Sequence, residues 1–581
     1  MKQHRPGILS VRAVNQYRRR DVLSYLSLRY YLDNAAARTD QWAKQVAIDL
    51  VSGRADLPYL LVHHFKETND QGGVVHREMY VPGANEVLTE AALLADCADH
   101  EKVFSNPECV FSYQLNHGDN RSGIFLPYFH GLQARHDAIA AACDANPDGI
   151  VRYTDIRRFY PTITKELALS SWRRYAERAN LTSPIRDVAE KLLDAHAKLS
   201  QGKGLGILTG PMFSHLIGNL VLRELDEYCA QSLPIKYFRY VDDITLVGSR
   251  DAVSRSANEL RNRLNDIGFT LHDDDSAKTI EVPVSEWLTT RNDFRESHQD
   301  ISWASLIGDL KKFLLLNPDG RDNLRQVFLG SELRIPVLDY SNTVFEGGFL
   351  ERVSYLAKRA WYRRKSQAVS IDGLLAQARS LRTRYREEFM ALVGEVGTAN
   401  PFQRKRRIPK LRYRAGRLIY LSTDEVLNDL SHAAKEISEL HFHTHVMQAV
   451  ATGNLDGVLS IGTNAAQATA QPLRAAGKTG YASHAELSHV EGQSLAVLLF
   501  NGVTVERPVG ARPVQTELMD VAQTGSSISL MKQAEPFLRE MACLHGIADL
   551  PRHPEVLESV FDRDEVLTLD AIDQLQQSVS P

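Results

Sequence analysis

The chain has 581 residues, 43% hydrophobic and 24% charged, which excludes fibrous and wholly disordered architectures and predicts two to four domains. Its formal net charge of -4 hides a local excess: Lys358 to Arg417 holds 17 Lys or Arg against 4 Asp or Glu, 17 - 4 = +13, whereas the tail from Glu555 onward is acidic. Cys97, Cys109, Cys143, Cys229 and Cys543 form no C-x-x-C pair, which argues against a zinc site or disulfide framework and fits a reducing cytoplasm, and no run reaches the roughly 18 apolar residues of a membrane span.

From Val14 to Val51 apolar residues recur at helical spacing until Gly53, which predicts an N-terminal helical region over 1–54. Between Leu57 and Val81 alternation around Asn69-Asp70-Gln71-Gly72-Gly73 predicts a hairpin. From about Phe104 to Ile280 short strand-like runs alternate with helices: Ile150 to Asp155 as strand, Ile163 to Asn180 and Phe213 to Cys229 as helix, and Tyr237 to Val247 as two apolar arms around a polar centre. This is an α+β pattern. Beyond Ser302 helical periodicity dominates, with breaks near Pro318, Gly330, Pro336, Gly347, Gly397 to Pro401, Gly453 and Gly510. A large α-helical C-terminal region is expected, with stacked helix pairs as one arrangement open to it, although no repeat period is evident.

Nucleotidyl transfer uses two divalent cations about 4 Å apart, held by carboxylates that converge from separate strands. Phe238-Arg239-Tyr240-Val241-Asp242-Asp243-Ile244-Thr245-Leu246-Val247 offers two strand arms meeting at an acidic tip. Tyr153-Thr154-Asp155-Ile156-Arg157-Arg158-Phe159-Tyr160-Pro161 places a further carboxylate at a strand end, just before a helix. Between them, Gly204 to Asn219 is a Gly-rich loop feeding a helix, suited to close backbone approach by a nucleotide and template.

In this order the three segments resemble motifs A, B and C of the palm of reverse transcriptases: Asp-x-x-x-Phe-Tyr from Asp155, Gly-Pro-x-x-Ser from Gly210, and Tyr-x-Asp-Asp from Tyr240. The resemblance implies a right-hand polymerase with fingers and palm over 55–290, a thumb-like helical region over 291–345 and an α-helical C-terminal domain over 346–581. It implies that Asp155 and Asp242 hold two Mg2+ ions, with Mn2+ as a substitute, that Asp243 assists, and that the Ile156 carbonyl is a further ligand. Tyr160, beside Phe159, matches the aromatic gate that excludes a ribose 2′-hydroxyl. Thr209, Gly210, Pro211 and Ser214 would border the nucleotide. Gly268-Phe269-Thr270-Leu271 followed by Lys278 is similar to motif D, where a lysine protonates leaving pyrophosphate, although the insert His272-Asp273-Asp274-Asp275 departs from that pattern. Phe111 to Leu115 and Arg121 to Pro127 resemble fingers motifs, with Arg121 as the triphosphate contact.

Thr209 stands where many relatives carry glutamine, and Gly210-Pro211 with Ser214 is more similar to bacterial abortive-infection and defence-associated reverse transcriptases of the unknown-group type than to retroviral enzymes. That resemblance implies anti-phage DNA synthesis in the cytoplasm from deoxynucleoside triphosphates, on an RNA template, with a noncoding RNA, or without a template. The DNA product could be protein-linked, and a homo-oligomer is compatible. A group II intron or retron-type enzyme with a structured RNA partner shares the palm. A catalytically inactive nucleic-acid-binding scaffold is the reading from another class, against which the intact Asp155, Asp242 and Asp243 argue.

Three further features need weighing. Arg404, Lys405, Arg406, Arg407, Lys410 and Arg412, in a stretch that also carries Trp361, Tyr362, Tyr385 and Tyr413, suit phosphate contact and base stacking, with a solvated helix face as the rival. His441-Phe442-His443-Thr444-His445 puts two histidines at i and i+4, more in keeping with packed or surface histidines than with a metal site. Gly477-Lys478-Thr479 resembles the end of a phosphate loop but has Pro472 where the first glycine is needed, which rejects that reading.

Overall fold

The computed structural model describes residues 12–13, 16, 59–69, 71–82, 84–117, 123–200, 206–291, 301–335, 337, 369–484 and 486–506. The expected N-terminal helical region, apart from Arg12, Ala13 and Gln16, lies outside them, as do Arg121, residues 204–205 and residues 358–368 of the basic stretch. The described fold is α+β, mostly helical with small sheets. By its contacts the chain divides into two units, one of Met1–Leu61, Glu78–Arg295 and Asn400–Phe402, the other of Val62–Arg77, Glu296–Ala399 and Gln403–Pro581.

The hairpin forms as expected, from β1 (Tyr59–Thr68) and β2 (Val74–Pro82). Its turn is built by Asn69, whose Oδ1 accepts from the amides of Gln71 (3.1 Å) and Gly73 (2.7 Å), while Gly72 takes φ +79.

The centre of the first unit is a four-stranded antiparallel sheet ordered β4-β5-β3-β6, from β3 (Ile150–Asp155), β4 (Lys236–Tyr240), β5 (Asp243–Gly248) and β6 (Ile280–Pro283). The first five residues of β3 are buried, because helices cover both faces of the sheet. On one face the helix Tyr128–Asp144 packs Ile139, Ala140 and Cys143 onto Val151, Val247 and Val282, and Trp287 Nε1 donates to the Tyr153 hydroxyl at 2.6 Å. The helices Met212–Ser232 and Arg250–Asp266 pack against β4 and β5. Ser249 caps the second of these by accepting from the amide of Ala252 (3.4 Å). The long helix follows Pro211 at its N-cap, and its Phe213 amide donates to the fully buried carboxylate of Glu90 (3.1 Å). The helix expected over Ile163 to Asn180 forms as Lys165–Arg178, preceded by a short turn, Phe159–Thr162, and started by the Thr164 hydroxyl, which accepts from the Leu167 amide.

The second unit is helical, with breaks at Pro318–Gly320, Gly397 and Gly453, the last a left-handed cap at φ +80. The consecutive helices Asp424–Ala434 and His441–Thr452 lie against each other, as do Thr463–Ala475 and His489–Phe500, and β7 (Gly480–Tyr481) pairs in parallel with β8 (Val505–Glu506). Within this unit the hairpin tip joins the late helices: the Phe65 amide donates to Asn464 Oδ1 (3.0 Å), His63 bonds Gln493 (3.1 Å) and His76 bonds the Ser460 carbonyl (3.0 Å). Lys478 caps the helix His441–Thr452, donating to the carbonyls of Val450 and Ala451 and pairing with Asp424. Both ring nitrogens of His441 are engaged, with Thr68 (2.7 Å) and the Lys435 carbonyl (3.0 Å).

Candidate active site

β3 ends at Asp155 and β5 begins at Asp243, and the register sets these two residues directly opposite each other. Opposed residues of an antiparallel pair project to the same face, so both carboxylates leave the sheet on one side. Asp242 sits beside them on the turn between β4 and β5. The Ile156 amide donates to the Asp242 carbonyl (3.2 Å), whereas the flanking peptides bond the other way: Arg157 to the Thr270 carbonyl (2.8 Å) and His272 to the Asp155 carbonyl (3.0 Å). The Ile156 peptide therefore faces the acidic turn.

That turn holds Val241 at φ +59, a conformation a β-branched residue rarely adopts. Its own hydrogen bonds keep it there. The Ser112 hydroxyl accepts from the Val241 amide (2.9 Å), and Arg239 Nη1 donates to the Val241 carbonyl (2.7 Å). Arg239 is fully buried, as is Asp226, which it grips through Nε (2.8 Å) and Nη2 (2.7 Å) while the Tyr237 hydroxyl donates to the same carboxylate (2.9 Å). Burial works against the Arg239 charge, but the Asp226 carboxylate outweighs it and holds the guanidinium protonated above its ordinary range. Asn219 completes the network, accepting from Arg239 (3.3 Å) and donating to the Ser112 carbonyl (3.1 Å). On the opposite side of the turn Arg135 donates to Thr245 Oγ1 (2.6 Å) and lies 3.9 Å from Asp243 Oδ2.

The expected nucleotide wall gathers around the start of the long helix. Phe159 is buried, and Tyr160 shares a 2.6 Å hydrogen bond with His215. The Gly206 amide donates to the Pro161 carbonyl (2.5 Å) and the Ile207 amide to the Ile163 carbonyl (3.0 Å), tying the Gly-rich loop to the motif around Tyr160. The Thr209 carbonyl accepts from the Tyr80 amide (2.8 Å), Gly210 takes φ +122, and Pro211 and the fully buried Ser214 follow at the helix start.

No protein-family profile matches the chain, and no curated protein matches it. Among solved structures, a telomerase from Candida albicans in complex with a fragment of telomeric RNA is similar over 72% of this chain and 71% of that chain, at 12% identity and a TM-score of 0.28. At that distance the likeness bears on neither family nor activity, and the chemistry of the chain's own residues decides the reading.

Asp155, Asp242, Asp243 and the Ile156 carbonyl are hard oxygen donors, the chemistry that Mg2+ takes. Among the described residues no three His, Cys, Asp or Glu side chains stand in metal-holding geometry. By its chemistry the donor set fits the ions. Lys278 is exposed, on the segment after the acidic insert, and that insert is itself engaged: Asp273 pairs with Arg157, and Asp274 with Arg152 and Arg261. In the helical unit the expected nucleic-acid contacts lie on the helix Pro401–Leu421, where Arg404 grips Glu439 (2.5 and 2.6 Å), Arg407 pairs with Glu395 (3.0 Å) and Arg412 donates to the Glu439 carbonyl (3.0 Å). Lys405, Arg406 and Lys410 share that helix. Sequence reasoning missed Ser112, Arg135, His215, Asp226 and Arg239. The available signal was Arg239, a cation flanked by the aromatic residues Phe238 and Tyr240 inside a strand.

Proposed function

We propose that this chain is a DNA polymerase of the reverse transcriptase type, which copies RNA or extends DNA without a template. The opposition of Asp155 to Asp243, with Asp242 on a turn anchored by a buried ion pair, carries this reading. Asp155 and Asp242, aided by Asp243 and the Ile156 carbonyl, would hold two Mg2+ ions, for which Mn2+ would substitute. When bound, these cations lower the pKa of an attacking 3′-hydroxyl and offset charge on the leaving phosphate. Tyr160, backed by Phe159, walls the sugar and selects deoxynucleoside triphosphates. The Thr209-Gly210-Pro211 loop brings backbone close to the nucleotide, with Ser214 beneath it. Lys278 supplies a proton to departing pyrophosphate, and Arg121 contacts the triphosphate. The cationic helix from Arg404 to Arg412 contacts RNA. The resemblance of the Gly210-Pro211 loop supports a cytoplasmic role in bacterial defence against phage, with an RNA partner and a DNA product that could remain protein-linked.

The test is incorporation by the purified chain with Mg2+, each nucleotide set and copurified RNA, beside an Asp242→Ala, Asp243→Ala variant. Removing both carboxylates is expected to lower deoxynucleotide incorporation by about 10³-fold. The reading fails if the unaltered chain incorporates no better than the variant.

A further inference from the structure

We propose that His215 is a positioning residue that sets the sugar selectivity of the site by fixing Tyr160. The inference rests on the polymerase reading above. Tyr160 and His215 share a 2.6 Å hydrogen bond between the phenol oxygen and Nδ1. His215 is itself held: it is 5% exposed, and its ring lies on that of Tyr113 with centroids 3.7 Å apart and planes 6° from parallel. Tyr113 presents that ring from a backbone at φ +48, a conformation uncommon for an aromatic residue. One turn along the same helix, Gly218 leaves the room that the gate occupies, since a Cβ there would stand 3.0 Å from Phe159 Cε1 and 3.4 Å from Tyr160 Cε1.

A steric gate discriminates only as far as it refuses to yield. A ring free to change rotamer makes space for a 2′-hydroxyl, whereas one tied at its far end and packed at its edge does not. Tyr160 is tied at the hydroxyl by His215 and packed along the edge by Gly218. The gate is thus a relay of three rings, Tyr113 stacked on His215 and Tyr160 set edge-on to His215 at 62°, of which only the last would face the sugar.

The readout is the ratio of kcat/KM for a deoxynucleotide to that for the matching ribonucleotide, measured on the full chain with Mg2+. His215→Phe keeps a ring against Tyr113 and removes the hydrogen bond. The preference for deoxynucleotide is expected to fall about tenfold, the net worth of one hydrogen bond, through a lower KM for the ribonucleotide. His215→Asn keeps a hydrogen-bonding atom near the place of Nδ1 and is expected to retain the preference. Tyr160→Phe removes the same bond from its other end, so it should match His215→Phe, and the double variant should lose no more than either alone. An unchanged preference in His215→Phe, an equal loss in His215→Asn, or additive losses in the double variant each overturn the assignment while the polymerase reading stands. Absence of incorporation by the unaltered chain overturns both.

Discussion

Arg239 and Asp226 place two full charges where water does not reach, and their geometry ties that burial to the acidic turn. Removing one partner leaves the other charge buried alone, so Asp226→Ala is expected to cost about 3–5 kcal/mol in urea denaturation. Replacing both, as Asp226→Leu with Arg239→Met, should recover most of that loss, because a packed apolar pair matches a buried ion pair in stability. Deoxynucleotide incorporation should remain low, since the Val241 carbonyl has lost its donor. Recovery of incorporation along with stability would show that the pair serves the core and not the turn. That Asp155 and Asp243 stand at strand ends, with Asp242 on the turn between, was legible in the sequence from the apolar arms that flank them. Arg239 and Asp226 were not, since a single charge between aromatic residues reads equally well as solvated until a partner 13 residues away is brought to it.

Elements bounded by strong local signals were read closely. β3 spans the residues expected of it, and the hairpin turn falls on Asn69 to Gly73. What local signals could not supply is contact between elements. Gly210 shows the difference: its place before Pro211 marks a loop, but its need to be glycine comes from φ +122 and from Tyr80, whose carbonyl oxygen would stand 2.5 Å from an added Cβ. Gly210→Ala is therefore expected to lower stability by about 1–3 kcal/mol, and to lower incorporation further as β2 is pushed from the loop. A variant with unaltered denaturation midpoint and rate would remove that constraint. The basic stretch shows the same limit. A count of cations between Lys358 and Arg417 does not see Glu439, 35 residues beyond Arg404, which accepts two of that arginine's hydrogen bonds.

Across the whole molecule, buried histidines couple stability to acidity. Burial lowers the pKa of His196 to about 3, and His443 falls to about 3 for the same reason, helped by the nearby charge of Arg412. In the unfolded chain both return to the ordinary value near 6.5, so between about 3 and 6.5 the unfolded state binds more protons than the folded one. Their contribution is complete above pH 6.5 and is lost as pH falls toward 3. For His196 alone the slope is about 1.4 kcal/mol per pH unit within that window. Urea midpoints should drop between pH 7 and pH 5, and His196→Leu should lessen the drop. Midpoints that are level across this range would refute it.

The hairpin tip has a consequence for synthesis. His63 and His76 find their partners at Gln493 and Ser460, 430 and 384 residues further along the chain. At about 5–20 residues per second a ribosome needs on the order of tens of seconds to deliver those partners. Throughout that time the tip of an early hairpin waits uncovered, with its strand edges open to pairing with another chain. Among the described residues the helical unit is thus completed by its earliest segment, and the growing protein has to guard that segment until the helix His489–Phe500 emerges.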